Sequence, residues 1–121
     1  NVDVVPKLAT EDIKVYKILY INNDMILSPC FRRFKWNINV VYEVENLCPT
    51  LSNRIYGGFH SLREEPYIKD AVWRIKNSIL FHSTANDRIF NAIIPKGSTY
   101  YENENGEIVS DKLKITDGSN R

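Results

Sequence analysis

Two histidines and two cysteines are the only soft or imidazole ligands in this chain, and their spacing is uninformative for metal. Cys30, Cys48, His60 and His82 are separated by 18, 12 and 22 residues, whereas zinc sites pair their ligands two to four residues apart. No metal site is expected. His60 is the best candidate for chemistry. It follows the pair Gly57-Gly58, precedes Ser61, and carries a ring that titrates near neutral pH, suited to an acid, a base or a ligand-orienting donor. The competing reading has His60 holding a loop through a main-chain carbonyl. His82 closes the apolar run Ser78-Ile79-Leu80-Phe81 and reads as a packed core residue. Glu102, Glu104 and Glu107 cluster near the C-terminus, and Glu107 is the second catalytic candidate. The same charges also suit a solvated hairpin tip. The chain has no G-x-S-x-G elbow, no phosphate loop and no H-E-x-x-H.

Phe31-Arg32-Arg33-Phe34-Lys35-Trp36 interleaves aromatics with cations. Arg32, Arg33, Lys35 and Trp36 would thereby suit a single-stranded nucleic acid, stacking bases and neutralising phosphates. A formal net charge of +1 supplies no global field for that role. The plainer expectation is a strand or loop whose aromatics face the core and whose cations are solvated.

The elements that must position His60 are read from residues 54–76. Arg54 to Phe59 mixes β-branched and aromatic residues and reads as a strand. Gly57 and Gly58 permit positive φ or close approach by another backbone or a ligand. Ser61-Leu62-Arg63-Glu64 matches a helix capping box, and Pro66 suits a first helical position. Ile68, Ala71, Val72 and Ile75 then fall on one helical face. The spacing predicts one principal helix over about 65–76.

Elsewhere the pattern is β. Ile13–Ile21 and Arg88–Ile94 are the strongest strands, Asn22-Asn23-Asp24 turns into Met25–Leu27, and Asn105-Gly106 signals a type I′ hairpin. The expected fold is α+β: a mainly antiparallel sheet of about 6–8 strands with that helix packed on it. Residues 1–121 read as one domain, with 1–12 and 117–121 as tails. The composition is that of a soluble globular protein, with no run long enough to span a membrane and no signal peptide. Cys30 and Cys48 therefore read as thiols, and the expected location is cytoplasmic.

The order Val15-Tyr16-Lys17, Ser28-Pro29, Gly58-Phe59-His60-Ser61, Ile94-Pro95-Lys96-Gly97 and Tyr100-Tyr101 resembles small uncharacterised domains of phages and gut bacteria. The likeness spans about residues 13–115 and implies no settled activity. The succession VYK, GGFHS, helix, IIPKGS is more distantly similar to ADP-ribosyltransferase-like folds. That resemblance implies NAD contacts from Lys14 or Tyr16, a pocket shaped by Ser61, and Glu107 or Glu102 acting on the ribose. Three functions are thus expected candidates. The first is a non-enzymatic binding module using Gly57, Gly58, His60, Ser61 and Tyr16, without cofactor, for a protein or small-molecule partner. The second is an ADP-ribosyltransferase-like or other nucleotide-handling enzyme, with NAD as its cofactor. The third is the single-stranded nucleic-acid binder.

Overall fold

The computed structural model describes residues 5–28, 34–45, 47–49, 55–56, 58–65 and 87–118. Among these residues the fold is all-β, which corrects the α+β expectation: they form twelve strands and no helix. The helix expected over 65–76 lies, apart from Glu65, outside the described residues, as does His82. The helical turn expected just before that helix, over 61–64, is overturned where it begins. Ser61 and Leu62 belong to a strand, Phe59–Leu62, so the capping-box pattern caps nothing. Alternation decides this locally, since Phe59 and Ser61 are buried while His60 is exposed, the period of two that a strand requires.

The N-terminal strands are β1 (Lys7–Leu8), β2 (Ile13–Asn22), β3 (Met25–Leu27), β4 (Lys35–Trp36) and β5 (Val41–Glu43). A small separate pair follows, β6 (Cys48–Pro49) and β7 (Ile55–Tyr56). The remaining strands are β8 (Phe59–Leu62), β9 (Asp87–Ile94), β10 (Thr99–Glu102), β11 (Glu107–Ser110) and β12 (Lys112–Gly118). Ten of them make one antiparallel sheet in the order β1-β10-β11-β8-β2-β9-β12-β5, with β3 attached to β2 and β4 to β3. The described part of the expected N-terminal tail is docked. Lys7 and Leu8 pair with Tyr100 and Thr99, and Ala9 is buried, its N–H donating to the Ser98 carbonyl at 2.9 Å. Pro6 is accommodated because β1 is an edge strand, paired on one side only among the described residues.

The sheet closes on itself. Only Asp111 separates β11 from β12, and it keeps the chain hydrogen-bonded through the bend. Its N–H donates to the Thr99 carbonyl at 3.0 Å, and its own carbonyl accepts from Val44 N–H at 2.9 Å. Residues 107–118 therefore act as one bent strand that pairs with β8 through its first half and β9 through its second. Since β8 and β9 both pair with β2, the ladder forms a ring: β2, β9, β12/β11, β8 and back to β2. The inward set changes parity at the bend, from Ile108 and Ser110 to Leu113 and Ile115, all at most 1% exposed. Inside the ring, these residues pack with Val15, Leu19, Phe59, Phe90, Ala92 and Ile94.

The turns follow their residue types with one revision. Asn23 and Asp24, at φ 49° and 67°, make the two-residue turn between β2 and β3. The β10–β11 hairpin exists, but its loop is not type I′. Gly106 alone has positive φ (76°), Gly106 N–H donates to Asn103 O, and Asn103 N–H to Glu107 O. This is a type I turn followed by a glycine bulge. The Asn103 carboxamide oxygen fastens it by accepting from the N–H groups of Asn105 and Glu107.

Candidate functional site

The outer face of β2, β8 and β11 gathers three of the residues singled out from sequence. Tyr16 pairs in register with Leu62, and Leu62 with Glu107; His60 pairs with Val109 one step along the same face. Tyr16, His60 and Glu107 thus share a surface because each strand alternates in and out. Ser61 does not join them. It points inward, 5% exposed, and its hydroxyl has no hydrogen-bond partner among the described residues. Gly57 lies outside the described residues. Gly58 serves close packing: a Cβ there would stand 2.3 Å from Leu47 Cδ1 and 2.4 Å from Val109 Cγ1.

His60 is exposed by surface area, yet its pKa is lowered to about 4. Desolvation by the atoms packed around the ring is the main cause; the Lys17 ammonium adds to it, and Glu107 opposes it. At neutral pH the ring is uncharged, offering one N–H donor and one nitrogen acceptor. So weak a base is poorly matched to proton abstraction at pH 7, where the effective pKa lies near the working pH. Among the described residues no hydrogen bond reaches the ring. Glu107 is exposed and accepts from Asn103 Nδ2 at 2.7 Å. Lys14 Nζ stands 5.7 Å from the centroid of the Tyr16 ring.

Glu102 is engaged on both oxygens. Arg63 Nε donates to Oε2 at 2.6 Å and Nη2 to Oε1 at 2.9 Å, a bidentate fork. The hydrogen bond from Arg63 holds the carboxyl below its ordinary range, with burial partly opposing, and the guanidinium is raised in turn. A late carboxylate acting on a ribose would need to be accessible, so Glu102 adds no support to the NAD reading.

Of the aromatic-cation segment, Arg32 and Arg33 lie outside the described residues, and Lys35 is exposed. Trp36 is 2% exposed, with Nε1 donating to Ser28 Oγ at 2.9 Å. Its ring meets Phe34, Tyr42 and Phe59 edge-on at 4.8, 5.1 and 5.4 Å between centroids. A ring so enclosed is a core anchor and presents no face to a base.

Sequence reasoning missed Lys17. By alternation it sits on the inward side of β2, between Val15 and Leu19, both fully buried. Its Nζ donates to the His60 carbonyl at 2.5 Å and stands 5.4 Å from the Trp36 ring centroid. A lone cation breaking an apolar alternation, I-x-V-x-K-x-L-x-I from Ile13 to Ile21, was the available signal. Also missed was the surface beyond Trp36, where Phe34, Ile38, Val40 and Val41 are 36–49% exposed. Among the described residues no group of three or more His, Cys, Asp or Glu is arranged to hold a metal, and no helix is long and apolar enough to cross a membrane. No family model, curated protein or solved structure matches the chain.

Proposed function

We propose that this chain is a non-catalytic binding module whose contact surface for a protein partner is the β4–β5 segment. The observation that carries the reading is the exposure of four large apolar side chains, Phe34, Ile38, Val40 and Val41, within one short stretch. Isolated exposed apolar residues need no explanation, whereas a contiguous apolar patch marks a contact surface. The closeness of these four in the chain supports reading them as one patch. The segment is firmly seated, which argues that the exposure is part of the fold. Asn39, at φ 63°, donates its N–H to the Ile115 carbonyl at 2.7 Å, and Tyr42 Oη accepts from Asn37 N–H at 2.8 Å. Of the polar residues singled out for chemistry, Glu102 is held by Arg63, Ser61 is buried, and His60 is a weak base at neutral pH.

The test is site-specific photocrosslinking in cells, with a photoreactive residue at Val41 and a control at the exposed Asn105 of the β10–β11 hairpin. A discrete crosslinked polypeptide at Val41 and none at Asn105 is expected. Equal capture at both sites, or none at Val41, removes the reading. We further assign the module to the cytoplasm, on the reading of Cys30 and Cys48 as thiols. Titration of native protein with a thiol reagent under denaturing, non-reducing conditions should give two thiols, and none would oppose that assignment.

A further inference from the structure

We propose that the ring of strands has a built-in opening point at the β2–β8 seam, and that the Lys17 ammonium is the clasp that holds it shut. The other joints of the ring are long. β2 and β9 pair from Ile13↔Ile94 to Tyr20↔Asp87, β9 and β12 from Ile93↔Lys114 to Phe90↔Gly118, and β8 and β11 along all of β8. Among the described residues the β2–β8 ladder is the single pair Tyr16↔Leu62. Immediately beyond it, the Lys17 side chain donates to the His60 carbonyl, an acceptor that a continued ladder would give to a main-chain N–H. The same ammonium lies over the Trp36 ring on β4, and β4 is carried by β3 on the other half of the same β2 edge. One cation therefore ties together β2, β8 and the β3–β4 wing.

Opening at this seam is local in character. It would part β8 from β2 while β8 stays on β11, and it would let water reach Ser61. The Ser61 hydroxyl has no partner among the described residues of the closed ring, so hydration on opening recovers part of the cost of burying it. Such sub-global openings are drawn from the least paired joints of a structure.

The experiment is native-state hydrogen exchange, read peptide by peptide, on the wild type, Lys17→Met and Lys17→Arg. In Lys17→Met the amides of Phe59–Leu62 should exchange faster by about tenfold or more, the scale of losing a hydrogen bond to a charged group. Amides of the β2–β9 and β9–β12 ladders should keep their wild-type rates. Lys17→Arg, which retains a cationic donor, should stay near wild type. In a second readout, Ser61→Cys alkylation should speed up by a similar factor when Lys17→Met is added. The proposal is overturned if β8 amides exchange no faster in Lys17→Met, or if all ladders shift together. Should Lys17→Met fail to fold, the wild type alone decides: β8 amides as protected as those of β9 sink the idea.

Discussion

The imidazole of His60 stands between two opposite charges, Lys17 and Glu107, and desolvation tips the balance toward the neutral ring. The folded state therefore binds a proton less readily than the unfolded chain, whose histidine titrates near 6.5. By linkage, this group's contribution is intact above about pH 6.5, falls as pH drops toward about 4, and is flat below that. Following the His60 Cε1–H shift by NMR should give a midpoint near 4, moving lower in Glu107→Gln because the opposing carboxylate is gone. A midpoint at or above 6.5 would contradict this environment. Gly58 makes a second residue-scale case. Gly58→Ala should destabilise by about 1–3 kcal/mol in urea titration, since its Cβ must displace Leu47 and Val109 in a packed wall. That glycine's need for close approach was legible in the sequence. The inward turn of Ser61 was not, because the S-x-x-E spacing is equally at home in a strand when a neighbouring strand supplies the pairing.

At the scale of elements, hairpins were the most readable features, since a few adjacent residues determine them. Asn23-Asp24 and Asn103–Gly106 both turn where their side chains and glycine permit positive φ or local capping. The turn type after β10 was less legible, as it depends on whether the closing pair is Asn103/Glu107 or one residue tighter. Gly106→Ala should cost about 1 kcal/mol or more in thermal or urea unfolding, because an L-residue is strained at φ 76°. The Arg63–Glu102 fork is the other element-scale device, joining the residue just past β8 to β10 across the intervening β11. With Arg63 41% and Glu102 14% exposed, solvent screens the pair, and a double-mutant cycle should give about 0.5–1 kcal/mol at pH 7. That coupling should shrink as pH falls through the carboxyl's lowered pKa, because the bond holds its charged form. A coupling unchanged at low pH would show that the contact is not ionic.

For the molecule as a whole, the ring of strands accounts for where the core lies. Its closure was hidden in the sequence because its joints are distant in the chain: β2 pairs with β9, and β8 with β11, with long intervening segments. Individual strands declared themselves by β-branched and aromatic content, but partners so remote leave no local trace. Leu113 and Ile115 are fully buried on the second half of the bent strand. Leu113→Ala should destabilise by about 2–5 kcal/mol in equilibrium unfolding, the range for truncating a core leucine. A loss under 1 kcal/mol would mean that the ring has no single packed interior.

The parity change at Asp111 means that one stretch of polypeptide furnishes two walls with opposite reading frames. With the bend kept, removing Lys112 alone would shift the second wall by one residue, turning Leu113 and Ile115 toward solvent and Lys114 inward. Keeping those side chains inward would instead require the bend to be lost. Insertions or deletions on either side of this residue are therefore far more harmful than substitutions, and a length-variant library across 109–113 would find this joint almost invariant in length while tolerant in composition.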